Sequence, residues 1–270
     1  MGAFCYNALA MEANPVIKYL PALLVQALLL MVISRTLFRA LVMAFGTRGG
    51  GGIVTFLRIV GNIIHETSHA LGYLLFGYLV KHIVFCALDP QRTGVCVRGR
   101  PWSRFALPWL ADGAAALMPL IIGSVALAWV GRLLGVIDYQ AMDVGGTAML
   151  RAVVDQALAL LGSLDWSRWQ TYLFLYLALS ISAEVSPSHT DVRYSLPALA
   201  AVAVIAGLLV FSAQHAQGLN ELLTRAGNWM LPGIEKLFAV WSLALVLMLL
   251  VSAVVIPVTF VIQSLRPDTH

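Results

Sequence analysis

Charged residues are scarce: 11% of the 270 residues are Asp, Glu, Lys or Arg, while 60% are hydrophobic and mean hydropathy is +0.85. A soluble chain of this length carries about a quarter charged residues, so an ordinary soluble globular enzyme is excluded. The net charge of +4 is spread over short connections and forms no basic run interleaved with aromatics. Nucleic acid is thereby excluded as a partner, and lipid headgroups are expected instead. Cysteine is also sparse, three in all and with no paired CxxC, which excludes a cysteine-based zinc site. The glycine run Gly46 to Gly52 lacks the lysine and hydroxyl residue that complete a phosphate loop, and no strand precedes it. It reads as a flexible connection and a hinge before the next apolar run. Before the first apolar run there is Glu12 and no basic start or small-residue cleavage site, so that run is expected to be a retained anchor.

What is abundant is long apolar sequence. Stretches run near Val16 to Phe38, Ile53 to Val80, Ala106 to Val130, Trp169 to Glu184, Tyr194 to Ala213 and Leu237 to Ile262. Against about 20 residues per crossing, the expected fold class is an all-α polytopic membrane protein of about six transmembrane segments. Thr147 to Leu161 and Asn220 to Lys236 are expected to lie at the interface, anchored by Trp166, Trp169 and Trp229. Lys81 to Gly99 alternates instead like a hairpin, with strands over His82 to Leu88 and Val95 to Val97 around a turn from Asp89 to Gly94. Cys86 and Cys96 are equidistant from Gln91, so a disulfide across that hairpin is left open.

Within the second apolar stretch stands His65-Glu66-Thr67-Ser68-His69. Four residues apart on a helix, His65 and His69 share a face and can present ring nitrogens to one metal, with Glu66 beside them to reach the metal's water. Ionisable residues this deep in an apolar segment are costly unless a metal, water or partner compensates them, so the cluster is read as functional. Asn62, one turn earlier, is expected to orient a ligand, bind substrate backbone or pack between helices.

A third protein ligand is sought in the fourth apolar stretch. Trp169 to Glu184 spans only ~22 Å as a helix and is followed at once by Val185-Ser186-Pro187-Ser188-His189-Thr190-Asp191, where Pro187 breaks the helix. His65 lies ~18 Å into its own span, and counting crossings starts both spans from the same side. The break and the histidine pair are therefore expected at similar depth, where irregular backbone must be buried in protein or line a wet cavity. Asp191 is the favoured ligand, and Glu184 and His189 are its rivals, each chemically acceptable to zinc. Ser188 with Asp191 also fits a helix start. Arg193 is expected either to stabilise a developing oxyanion or to pair with Asp191.

An HExxH on one membrane helix joined to a Pro-containing segment ending in Asp on a later one resembles the site-2 protease family of intramembrane zinc metalloproteases. The resemblance covers Ile53 to Ala213. The family's second motif reads Asn-x-x-Pro-x-Pro-x-Leu-Asp-Gly; here one proline stands four residues before the acid, and Val192 replaces the glycine. The resemblance implies one membrane-embedded metalloprotease domain over residues 1–270, with its catalytic core at about 53–213 and no added soluble domain. It implies one Zn2+ held by His65, His69 and Asp191, Glu66 as catalytic acid and base, and a small sheet beside the active site that captures substrate by main-chain pairing. It further implies transmembrane or membrane-associated protein substrates and a cytoplasm-proximal site, although the Lys and Arg of the loops do not choose an orientation. A multi-pass integral protein of a prokaryotic inner membrane is expected. The alternatives are a non-catalytic pseudoprotease that binds membrane proteins, a metal carrier, and a membrane zinc peptidase acting on soluble or lipidated peptides.

Overall fold

The computed structural model of the protein describes residues 15–45, 51–85, 94–136, 149–185, 189–213 and 217–264. In chain order these form α1 (Pro15–Phe45), α2 (Gly51–Leu75), β1 (Tyr78–Val84), β2 (Val95–Pro101), α3 (Pro108–Leu133), α4 (Met149–Gly162), α5 (Trp169–Val185), α6 (His189–Ala213) and α7 (Gln217–Ser264). The fold is thus mainly helical with one two-stranded antiparallel sheet.

Among the described residues, four helices are long and apolar enough to cross a membrane: α1, α3, α6 and α7. The expected six spans are not all matched, for two physical reasons. α2 is long enough, but Arg58, His65, Glu66 and His69 lower its hydropathy. α5 has 17 residues and reaches only ~25 Å, short of the ~30 Å hydrocarbon layer. α7 is one continuous 48-residue helix that absorbs the segment expected at the interface, whereas residues 149–162 do form a separate helix, α4.

Helix α1 packs along α7 and buries large side chains there: Tyr19, Leu23 and Leu30 meet Phe238, Trp241, Leu243 and Ala244, with Phe174 and Ile181 of α5 completing the core. α2 lies between α3 and α5, and α6 lies on α3. These contacts are closer, because glycines face backbone. A Cβ at Gly61 would collide with the Ser180 carbonyl of α5, and one at Gly72 would press on Ala115 of α3. Membrane helices approach in this way where small residues replace large ones.

The second apolar stretch was expected to remain helical to Val80, but α2 stops at Leu75. Gly77 adopts φ +86°, a left-handed turn that glycine accepts without strain, and its carbonyl accepts from Trp102 N–H at 2.8 Å. The chain therefore enters β1 four residues earlier than the alternation suggested. Register sets Ile83 opposite Cys96, which is a free thiol; Cys86 and residues 89–93 of the expected turn lie outside the described residues. Residues 46–50 of the glycine run and 186–188 of the proline break also lie outside them. At the hairpin's base Arg98 Nη1 reaches Asp112 of α3 at 2.8 Å, which ties β2 to the helices, and its Cζ sits 4.9 Å from the centre of the Tyr78 ring of β1.

Candidate metal centre

Helix α2 carries its ionisable residues on one face. Arg58, Asn62, His65, Glu66 and His69 fall at helical spacing and all turn inward, with Phe56, Ile59, Ile63 and Thr67 exposed on the other side. Seven residues separate Arg58 from His65, two turns of the same stripe. That spacing was available in the sequence, and Arg58 is the residue that reading the motif alone passes over.

His65 and His69 each use Nδ1 to bond a backbone carbonyl of a neighbouring helix. His65 Nδ1 lies 2.6 Å from the Glu184 carbonyl of α5, and His69 Nδ1 lies 2.8 Å from the Ala115 carbonyl of α3. A carbonyl can only accept, so these partners assign the proton of each neutral ring to Nδ1 and leave a lone pair on each Nε2. The two Nε2 atoms are 3.0 Å apart. Asp191, buried in the first turn of α6, brings Oδ1 to 3.5 Å from His69 Nε2 and Oδ2 to 3.8 Å from His65 Nε2.

Three electron-rich groups thus converge with no donor among them. Taken together, one ligand atom from each lies within 4.8 Å of the others. Bond lengths of 2.0–2.2 Å at a tetrahedral angle place ligand atoms about 3.3 to 3.6 Å apart, close to the observed separations, so the group fits a small divalent cation. The N, N, O donor set suits zinc, and the Nδ1–H bonds to carbonyls are the outer contacts that fix such ligands. The group can hold a metal ion.

The rivals for third ligand separate on geometry. The Glu184 carboxylate is engaged by Arg58 Nε in a buried ion pair, and Glu184 turns its main-chain oxygen, not its side chain, towards His65. Glu184 is therefore a support for His65. His189 opens α6, and its side chain lies outside the described residues. Asn62 is 2% exposed on the ligand face of α2. Arg193 is exposed while Asp191 is buried, since two residues along a helix turn the side chain by about 200°. The expected pairing of Arg193 with Asp191 or with an oxyanion at this cluster does not match that orientation.

Glu66 is 3% exposed, and its Oε2 has no hydrogen-bond partner among the described residues. The start of the hairpin's second strand lies against it: a Cβ at Gly94 would fall on the Glu66 carboxylate. Alternate residues of a strand share a face, so Cys96 and Arg98 follow Gly94 on the side towards the helices. Burial, and after it the Glu66 charge, push the Cys96 thiol up to about 11. Neither Gly94 nor Cys96 was singled out for the site from sequence, because only the register of the hairpin shows which strand meets Glu66. No protein-family model matches the chain, and neither a curated protein nor a solved structure matches it.

Proposed function

We propose that this chain is an intramembrane zinc metalloprotease that hydrolyses peptide bonds of transmembrane or membrane-associated protein substrates. The observation that carries the reading is the meeting of the lone pairs of His65 and His69 with the Asp191 carboxylate, beside the buried Glu66, whose Oε2 has no partner among the described residues. A buried carboxylate with an oxygen left without a partner among the described residues, one position from a metal ligand, is placed as a general base must be. The apolar helices around it, and the likeness of its two motifs to those of site-2 proteases, support a site below the lipid surface. In this reading α2 and α5 join α1, α3, α6 and α7 as spans, giving the count of six, in a prokaryotic inner membrane.

A bound zinc ion would supply Lewis acidity at the scissile carbonyl and a water acidic enough to react near pH 7. His65, His69 and Asp191 would hold it, and the Glu184 and Ala115 carbonyls keep both imidazoles aimed inward. Glu66 takes the proton of the attacking water and returns it to the leaving amine. β2 lies over this carboxylate, so an extended substrate segment beside the strand would pass close to the base.

The test uses purified protein in proteoliposomes with a membrane-helix substrate and, in parallel, a soluble peptide. Wild type should cleave the first, and Glu66→Gln should lose about 100- to 10,000-fold in rate while keeping its zinc. Cleavage of the soluble peptide alone would make the protein a membrane peptidase. Binding without cleavage by wild type would make it a pseudoprotease, and undiminished cleavage by Glu66→Gln would remove the assigned mechanism.

A further inference from the structure

We infer that Pro119 is a positioning residue for the metal site, and that it acts by leaving the Ala115 carbonyl without a partner inside its own helix. The inference rests on the metal-binding reading of His65, His69 and Asp191 and adds a residue that no motif contains.

In a regular α-helix the carbonyl of residue 115 accepts from the N–H of residue 119. Here residue 119 is a proline, buried within α3, and has no N–H to give. The Ala115 carbonyl then needs a donor from elsewhere, because a buried backbone acceptor is rarely left unpaired. His69 Nδ1 is that donor, at 2.8 Å. The consequence runs through the ring: with its proton held on Nδ1, His69 presents a bare Nε2 to His65 and Asp191.

The other imidazole is served in a parallel way. The Glu184 carbonyl lies in the last described turn of α5 and accepts from His65. One residue earlier, the Ala183 carbonyl stands four positions before Pro187 and accepts from Ser34 Oγ at 2.6 Å. Three carbonyls beside the site, those of Ala115, Ala183 and Glu184, thus accept from side chains, and two of the three donors are the paired imidazoles. A proline in mid-helix is a costly residue, and orienting His69 gives this one a use.

Three proteins separate the role of the missing N–H from that of the ring: wild type, Pro119→Ala, and a protein with lactic acid at position 119. Lactic acid is the alanine analogue whose ester oxygen carries no hydrogen, and it is introduced during translation. Affinity for Zn2+ and Co2+, and the visible spectrum of the Co2+ form, are measured on full-length protein in detergent. Pro119→Ala restores an N–H that competes with His69 for the Ala115 carbonyl, and should weaken metal binding about 10- to 100-fold and alter the Co2+ spectrum. The lactic acid protein should bind as wild type does. Pro232→Ala, which removes a proline from α7 away from the site, should leave affinity unchanged.

Equal affinity in wild type and Pro119→Ala would overturn the inference while leaving the metal site standing. Equal weakening in the alanine and lactic acid proteins would also overturn it, by assigning the effect to the ring. Failure of wild type to bind either metal would remove the underlying reading and the inference together. A measurement free of any substitution is the nitrogen-15 spectrum of histidine-labelled, metal-free wild type, where His69 should carry its proton on Nδ1. A proton on Nε2 would contradict the proposal.

Discussion

Two halves of the molecule hold themselves together by different means. Along α1 and α7 the contact is made by large side chains: Leu30, Phe238, Leu243 and Met248 are all under 2% exposed, and Gln26 Nε2 donates across the seam to Ser242 Oγ at 2.9 Å. Where α2 meets α3 and α5 the contact is made by glycine against backbone, by the Arg58–Glu184 ion pair and by carbonyls that accept from side chains. The first half can tolerate exchange among similar hydrophobes, because its energy comes from apolar packing. The second half is specified by backbone distance and donor direction, and small changes there should reach the metal.

Substitutions in the two halves should therefore separate stability from metal affinity. Phe238→Ala opens a cavity in the α1–α7 core and should cost about 3 to 5 kcal/mol while leaving affinity for Zn2+ unchanged once folded. Arg58→Met leaves the Glu184 carboxylate buried without its partner and should cost a similar amount, about 3 to 5 kcal/mol, but with weakened metal binding as well. Adding Glu184→Gln should recover part of both losses, since it removes the stranded charge. Denaturation and metal titration of the same samples check the pattern. If Arg58→Met and Phe238→Ala lose stability alike and neither loses metal, the contrast between the halves is wrong.

Smaller in effect is Gly61→Ala. The new methyl group meets the Ser180 carbonyl and should force α2 and α5 apart, at about 1 to 3 kcal/mol and with a fall in metal affinity. Leu208→Ala, on the exposed face of α6, should change neither property measurably.

The least effect is one of acidity. Cys96 ionises at about 11 rather than 9.0 because it is buried and next because Glu66 is near. In a background with Cys5 and Cys86 replaced by serine, the pH profile of alkylation should show this value, and Glu66→Gln should lower it while leaving it above 9.0. The unfolded chain loses the thiol proton first, so stability should decline as pH rises from 9.0 towards 11. An unshifted profile in Glu66→Gln would mean that β2 does not lie over the carboxylate.

The pairing of His65 with His69 and the inward turn of Glu66 were legible in the sequence, because helical spacing alone decides which residues share a face. Asp191 was legible through depth: a short helix, followed by a new one from His189, brings a later acid to the level of the histidines. Arg58 was within reach, seven residues before His65, but a single charge in an apolar run does not announce its partner. Gly94 and Ala115 were not within reach, since their roles depend on hairpin register and on a contact between α2 and α3. The end of α2 at Leu75 escaped because Gly77, not the hydrophobicity of Tyr78 to Val80, decides where the helix stops. Four of the six expected spans stand out by length and hydropathy among the described residues, and α2 does not because the residues that make it chemically interesting also make it less apolar.

Metal content of the purified protein tests the central claim most directly, with wild type compared against Glu66→Gln and Asp191→Ala. Wild type and Glu66→Gln should each carry about one zinc ion per chain, and Asp191→Ala should carry almost none. Zinc retained undiminished by Asp191→Ala, or absent from wild type, would contradict a metal centre built from His65, His69 and Asp191.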